Sequence, residues 1–322
     1  MYSASALYDL YESKFSSNNF NSSPDGLYAP VNHIMGIKGK RIRPMLLLMA
    51  CDMFGGNVQQ ALNPAFAMEV FHNFTLVHDD IMDNADIRRG VPTVHKKFGV
   101  NAGILAGDVM LAYAYKYLTD VPLQYIPQLM QLFNKTAIEI FEGQQMDVDF
   151  EKRMDVSLNE YLKMIEYKTS VLLACCLQLG AILGNADEKS AREIYRFGLN
   201  LGLSFQIKDD LLDAFGEGEK VGKKIGGDIL LNKKTYLLIS ALNNASSLQQ
   251  AELQQLMNEI DEQKKIDGIK RLMKETGAYD ATVSKAEELY RESIASLQAI
   301  NQPADRKALL LEMAEKLNSR DY

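Results

Sequence analysis

Cysteine is scarce. Cys51, Cys175 and Cys176 are the only three in 322 residues, an odd set that builds no disulfide framework and contains no CxxC metal pair. They read as reduced, mostly buried thiols. Histidine is equally thin. His33, His72, His78 and His95 are too few for an HD-type metal phosphohydrolase. Glu69 and His72 spell one ExxH, and a di-iron bundle needs a second. Basic charge is not in excess: Lys+Arg 35 against Asp+Glu 42 gives a net charge of −7, which argues against a nucleic-acid partner. No apolar run approaches the roughly 18 residues of a membrane span. Met1–Leu10 lacks the basic and then apolar stretches of a secretory signal. A cytoplasmic protein with no stable membrane insertion is therefore expected.

Proline is absent from Gln128 to Gln302; all eight lie at Pro24, Pro30, Pro44, Pro64, Pro92, Pro122, Pro127 and Pro303. Proline costs about 3 kcal/mol in a helix interior, so the gap permits long helices. Apolar residues recur at threes and fours in Ala61–Met82, Val171–Leu183, Ala191–Leu212 and Lys234–Leu242. No stretch alternates strictly, so strands should be scarce. The pattern predicts an all-α, single-domain helical bundle over residues 1–322, with its site between facing helices. Ser16–Pro24 and the glycine- and lysine-rich Gly216–Asp228 break the periodicity and read as loops, the second of them a mobile surface loop.

Two acidic clusters share the pattern DDxxD: Asp79, Asp80 and Asp83, and Asp209, Asp210 and Asp213. On a helix the first and last aspartates share a face. Three carboxylates so close repel one another unless solvated or bridged by a cation. Hard oxygen ligands suit Mg²⁺, which takes one or two carboxylates and completes its shell with water and phosphate oxygens. A single DDxxD is better read as a solvated helix end. Two, each closing an apolar helical stretch, favour a metal–diphosphate site. Neither continues as a calcium EF-hand loop. Cations surround them: Lys40, Arg41 and Arg43 ahead of a helix expected at Pro44, then Arg88 and Arg89, Lys168, Lys223 and Lys224, and Lys233 and Lys234. Arginine offers a planar fork to phosphate and lysine a mobile point charge. His72 lies two helical turns before Asp79 on nearly the same face.

In order along the chain, GKRIRP, FHNFTLVHDDIMDNADIRRGVPTVH, EYKTS, FQIKDDLLD and LNKKTY resemble the trans-isoprenyl diphosphate synthases, or polyprenyl synthetases. The resemblance spans about Gly39 to Tyr236. It implies an all-α fold around a deep central cavity, usually in a homodimer. It also implies condensation of isopentenyl diphosphate with an allylic diphosphate (dimethylallyl, geranyl or farnesyl), assisted by several Mg²⁺ ions, which Mn²⁺ can replace. By the same resemblance Asp79, Asp83 and Asp209 are the main metal ligands, supported by Asp80, Asp210 and Asp213. Lys40, Arg43, His72 and Arg89 are the isopentenyl diphosphate site. Arg88, Lys168, Lys223 and Lys233 grip the allylic diphosphate, and Thr169 and Gln206 lie near the developing cation. Two departures are Lys38 and Asn232, each where the family often has glycine.

Three other readings fit less well. A non-catalytic partner subunit should have lost its acidic motifs, and a terpene cyclase carries a different second metal motif. The HD phosphohydrolase lacks its histidines. For product length, helix rise puts Phe74 about 7.5 Å and Phe71 about 12 Å from Asp79 along the axis. An aromatic five residues before DDxxD, with Thr75 rather than a second aromatic beside it, resembles the makers of C20 chains. C15 is next, because Phe71 shortens the pocket.

Overall fold

The computed structural model describes residues 1–15, 20–216 and 226–319. Helices supply nearly all the regular structure. They are α1 (Ala4–Phe15), α2 (Asp25–Met35), α3 (Ile42–Met53), α4 (Val58–Met82), α5 (Val94–Phe98), α6 (Val100–Leu118), α7 (Ile126–Glu151), α8 (Leu158–Ile165), α9 (Val171–Leu183) and α10 (Glu188–Phe215). Then follow α11 (Gly227–Leu230), α12 (Tyr236–Asn244), α13 (Ser247–Met257), α14 (Glu262–Glu275), α15 (Ala278–Ala299) and α16 (Ala304–Asn318). The only strands among the described residues are β1 (Ile87–Arg88) and β2 (Val91–Pro92), an antiparallel pair. The fold is all-α, as the periodicity predicts. Where the helix was expected to open on Pro44, α3 instead starts at Ile42, because Arg41 takes a left-handed φ of 48° and breaks the chain there. Arg43 consequently stands in the first helical turn.

The described residues group into two compact units. One comprises Met1–Phe133, Cys176–Ala191 and Gln302–Leu310; the other comprises Asn134–Cys175, Arg192–Asn301 and Leu311–Tyr322.

In the first unit α4 is the centre. The Asn57 side chain caps it by accepting from the Gln59 N–H at 3.0 Å. Every residue from Ala65 to Phe71 is buried, the mark of a helix apolar on all sides. Pro44 to Met53 of α3 are buried without a break as well. Phe15 stacks on Phe66 with ring centroids 4.1 Å apart, and Tyr117 meets Phe66 edge-on at 4.9 Å. Pro64 sits inside α4 without ending it, so proline alone is a poor boundary marker in this chain.

Among the described residues of the second unit, two apolar cores stand out. One joins Phe150, Tyr161, Ile165, Ile207 and Leu289. The other joins Leu211, Ile229, Leu238, Leu253, Ile269 and Leu272. The segment Leu158–Leu183 is long and apolar enough to cross a membrane by composition alone, yet most of it is buried in the protein. The loops read from sequence fall partly outside the described residues: 16–19 and 217–225 do, so Lys223 and Lys224 do too. Gly227 and Asp228, assigned from sequence to the mobile loop, open α11.

Candidate active site

The first acidic motif closes α4. Asp79 is half-buried, Asp80 is 1% exposed, and Asp83 is the exposed C-cap. The neighbours differ because successive helical residues point 100° apart. Both oxygens of Asp80 are already engaged. Arg88 Nε donates to them at 2.9 Å each, and Nη2 adds a 2.7 Å bond. Arg88 is held there by the β1–β2 hairpin, whose two-residue loop, Arg89–Gly90, has φ of 50° and 81°. That is the signature of a type I′ turn, which glycine makes easy. Thr93 shuts the base of the hairpin, its N–H donating to Asp86 O at 3.0 Å and its hydroxyl to Ala85 O at 2.7 Å.

Two turns back along α4 from Asp79 lies His72, half-buried. Burial, then the charges of Arg43, Arg89, Arg88 and Arg41, hold its imidazole well below the usual histidine range, so it is neutral. Arg41 is neutralised by the buried carboxylate of Glu69 at 2.6 Å, and Asn73 Nδ2 supports that carboxylate at 3.2 Å. Arg43 is different. Its Nε is buried and has no hydrogen-bond partner. Burial pulls its pKa down. A buried donor left unpaired costs about 1–3 kcal/mol, more if charged, so this geometry calls for an anion. Lys40 is exposed beside it in sequence, and Arg89 reaches back to donate to Lys38 O at 3.1 Å.

The second unit holds a cavity of about 160 Å³ lined by Asp147, Tyr161, Lys168, Thr169, Gln206, Asp210, Asp228 and Lys233 among others. The second acidic motif shares the buried middle aspartate of the first but not its exposed end: Asp209 and Asp213 are half-buried and Asp210 is buried. The buried middle aspartate has different company, however. Tyr161 Oη donates to its Oδ2 at 2.5 Å and Gln206 Nε2 to its Oδ1 at 3.2 Å. Burial and the nearby Asp228 carboxylate push the Asp210 acid up to about 8. Asp213 accepts the Asp228 N–H at 2.8 Å and so caps α11. Lys233 lies 3.5 Å from Asp228, and Lys168 Nζ donates to Asp147 at 2.5 Å.

Lys168 and Thr169 sit on a π-helical turn, Glu166–Ser170, inserted between α8 and α9. Two glycines make room for it. A Cβ on Gly143 of α7 would lie 2.4 Å from the Lys168 nitrogen, and one on Gly202 of α10 would lie 2.7 Å from Ser170 Cα. The extra residue turns Thr169 toward α10, where its hydroxyl donates to Gln206 at 3.3 Å. Such turns recur at functional sites.

Arg43, His72, Arg88 and Arg89 thus share one electrostatic neighbourhood in the first unit. Lys168, Thr169, Gln206, Asp210 and Lys233 line one cavity in the second. Arg88, grouped from sequence with the lysines of the allylic site, is committed to Asp80. Sequence reasoning missed Arg41–Glu69, Asp147, Tyr161 and Asp228. Glu69 was legible as a charged residue inside an apolar helix, and Asp228 as an acid beside the loop lysines; Asp147 and Tyr161 carried no such signal. Among the described residues no three Asp, Glu, His or Cys side chains converge to hold a metal alone.

The fold is α-helical, and each unit sets an acidic motif beside basic side chains. The comparisons agree. The polyprenyl synthetase family model matches residues 24–276. A geranylgeranyl pyrophosphate synthase of Geoglobus acetivorans is 38% identical over 301 residues, 93% of this chain and 92% of that protein. A geranylgeranyl diphosphate synthase of Methanosarcina mazei is 37% identical over 306 residues, covering 93% and 91%. A crystal structure of a geranylgeranyl pyrophosphate synthase matches with a TM-score of 0.94 at 43% identity, each chain covered in full. The chain belongs to the polyprenyl synthetase family and is a trans-prenyltransferase.

Proposed function

We propose that the chain is a cytoplasmic, Mg²⁺-dependent geranylgeranyl diphosphate synthase, working as a homodimer with the whole chain as its catalytic domain. It would join isopentenyl diphosphate head-to-tail with dimethylallyl, geranyl and then farnesyl diphosphate. The observation that carries this reading is Arg43: a half-buried arginine whose buried Nε has no partner, in a cationic pocket around a neutral imidazole, on the unit that bears the first DDxxD.

Arg43, Arg89, His72 and Lys40 hold the isopentenyl diphosphate, the neutral His72 as a hydrogen-bond partner rather than a further charge. Lys168 and Lys233, with Lys223 from outside the described residues and Arg88, grip the allylic diphosphate. Asp79, Asp83 and Asp209 hold Mg²⁺. Asp80, Asp210 and Asp213 support them, Asp80 held by Arg88, Asp210 by Tyr161 and Gln206, and Asp213 through α11. Bound Mg²⁺ neutralises charge on the leaving diphosphate. The allylic C–O bond breaks and its electron pair leaves with the diphosphate. The double bond of isopentenyl diphosphate forms the new C–C bond, and a proton is lost to regenerate an alkene, with the released diphosphate as base. Thr169 and Gln206 present oxygen dipoles toward the developing cation, and apolar walls exclude water.

Product length is read from Phe74 and Thr75. Phe74 is buried on the same stripe as Phe71, with ring centroids 5.5 Å apart, and Phe71 is backed by Phe133 at 5.0 Å. Thr75 is half-buried, and its hydroxyl donates to His72 O at 2.8 Å. Both relatives described above carry the C20 name, which supports the same length. Incubation with isopentenyl diphosphate and each allylic primer, followed by dephosphorylation and chromatography, should give geranylgeraniol. A C15 or C25 end product would overturn the length assignment, and no condensation with Mg²⁺ present would overturn the function.

A further inference from the structure

Lys265, in the first turn of α14, is 6% exposed. Among the described residues no carboxylate pairs with its ammonium. Its partners are two backbone carbonyls, Leu230 O at 3.1 Å and Met257 O at 2.9 Å. Burying a charge without a counter-charge is expensive, so its retention needs a reason. Those carbonyls end α11 and α13, where the last C=O groups of a helix lack internal partners and the helix dipole favours a cation. Asn232 joins them. It holds a left-handed φ of 53°, and its Nδ2 donates to the same Met257 O at 3.1 Å. On the other side, Asp213 accepts the Gly226 N–H through its carbonyl at 2.7 Å and the Asp228 N–H through its carboxylate at 2.8 Å. The four-residue α11 is therefore fixed at its start by the last aspartate of the second motif and at its end by Lys265. Asp228, the second residue of α11, and Lys233, just beyond it, line the cavity.

We propose that Lys265 is a positioning residue for the allylic side of the reaction: with Asn232 it clamps the segment Gly226–Lys234 and so sets where Asp228 and Lys233 stand. This rests on the reading of Lys233 as an allylic-diphosphate contact. Asn232, a departure from the family's usual glycine, becomes the second half of the clamp.

Three variants test it: Lys265→Met, Asn232→Gly and Lys233→Ala. Methionine fills the lysine's space without the charge, and removing a buried charge that has no counter-charge also lifts its desolvation cost. Glycine keeps the backbone of position 232 unstrained. Expected for Lys265→Met are a melting temperature within a few degrees of wild type and a KM for geranyl diphosphate raised about tenfold, the equivalent of about 1.4 kcal/mol. The KM for isopentenyl diphosphate should stay within about twofold, and amide exchange should quicken at 227–234. Asn232→Gly should move the same KM about threefold, and the double variant should fall short of the product of the two, because both side chains serve one carbonyl. If Lys233→Ala raises the KM for geranyl diphosphate and neither clamp variant does, the clamp is overturned. Equal rises for both substrates overturn it too. If Lys233→Ala itself changes nothing, the site reading fails and the clamp falls with it. Should Lys265→Met not fold, Asn232→Gly carries the test alone.

Discussion

Asp80 and Asp210 occupy the same place in identical motifs, yet replacing each by asparagine should act in opposite directions on the metal-free protein. Asp80 is a buried carboxylate in a three-bond contact with Arg88. Asparagine removes the charge and leaves a guanidinium facing an amide. Breaking a fully buried pair costs about 3–5 kcal/mol. Arg88 is 26% exposed and regains some hydration, so about 2–3 kcal/mol is the appropriate figure. For a chain of 322 residues that is roughly 3–4 °C in melting temperature. Among the described residues no cation is bonded to Asp210, which sits by Asp228, and its acid is pushed up to about 8. It therefore keeps its proton near neutral pH, while the unfolded chain gives its proton up. Stability held back by this group rises as pH falls from about 8 toward the ordinary carboxylate range. Asparagine resembles the protonated form, so Asp210→Asn should leave stability near pH 8 unchanged or higher, and should flatten its pH dependence. Thermal melts in EDTA across pH 6–8.5 read both effects. Equal losses for the two variants would refute the argument that burial partners, not motif position, decide the role.

His72 gives a second pH signature. Its folded pKa lies well below 6.5, so the unfolded state binds the extra proton. Stability should be fully present above about pH 6.5 and fall below it by up to about 1.4 kcal/mol per pH unit, as urea titrations would show; His72→Gln should remove that slope. Arg43→Ala should raise the KM for isopentenyl diphosphate more than tenfold, an effect of at least about 1.4 kcal/mol, with the allylic KM little changed in initial-rate assays. Phe74→Ala deletes most of a ring that packs 5.5 Å from Phe71 and 4.9 Å from His78. If the void admits one more five-carbon unit, burial at about 0.8 kcal/mol per carbon offers about 4 kcal/mol, and chromatography should show products longer than C20. An unchanged product profile would place the floor elsewhere.

The helices were legible because their signal is periodic and local. Val171–Leu183 was read from sequence with the same ends as α9, and Ala61–Met82 falls within α4. The acidic motifs were legible as spacing. What spacing conceals is partner chemistry. Nothing in DDIMD against DDLLD says that one middle aspartate will meet an arginine from a hairpin and the other a tyrosine from α8. Those partners arrive from 8 and 49 residues away. Arg41 was hidden for a related reason. In sequence it is one more cation in GKRIRP, and only the fold sets it against Glu69, leaving Arg43 unpaired. The π turn was invisible in EYKTS, although Gly143 and Gly202 were traces of it.

That turn has a consequence for how the chain can change over time. A π turn is a helix holding one residue more than the α path requires. Loss of any single residue from Leu158–Leu183 would let it relax to a continuous α-helix. Everything beyond the deletion would then rotate by about 100°, and the residues flanking the cavity would cease to face it together. Surface connections in general gain or lose residues with little effect. Here the count itself is functional. Substitutions along this stretch can be absorbed one at a time, whereas a change in its length removes the binding surface in a single step.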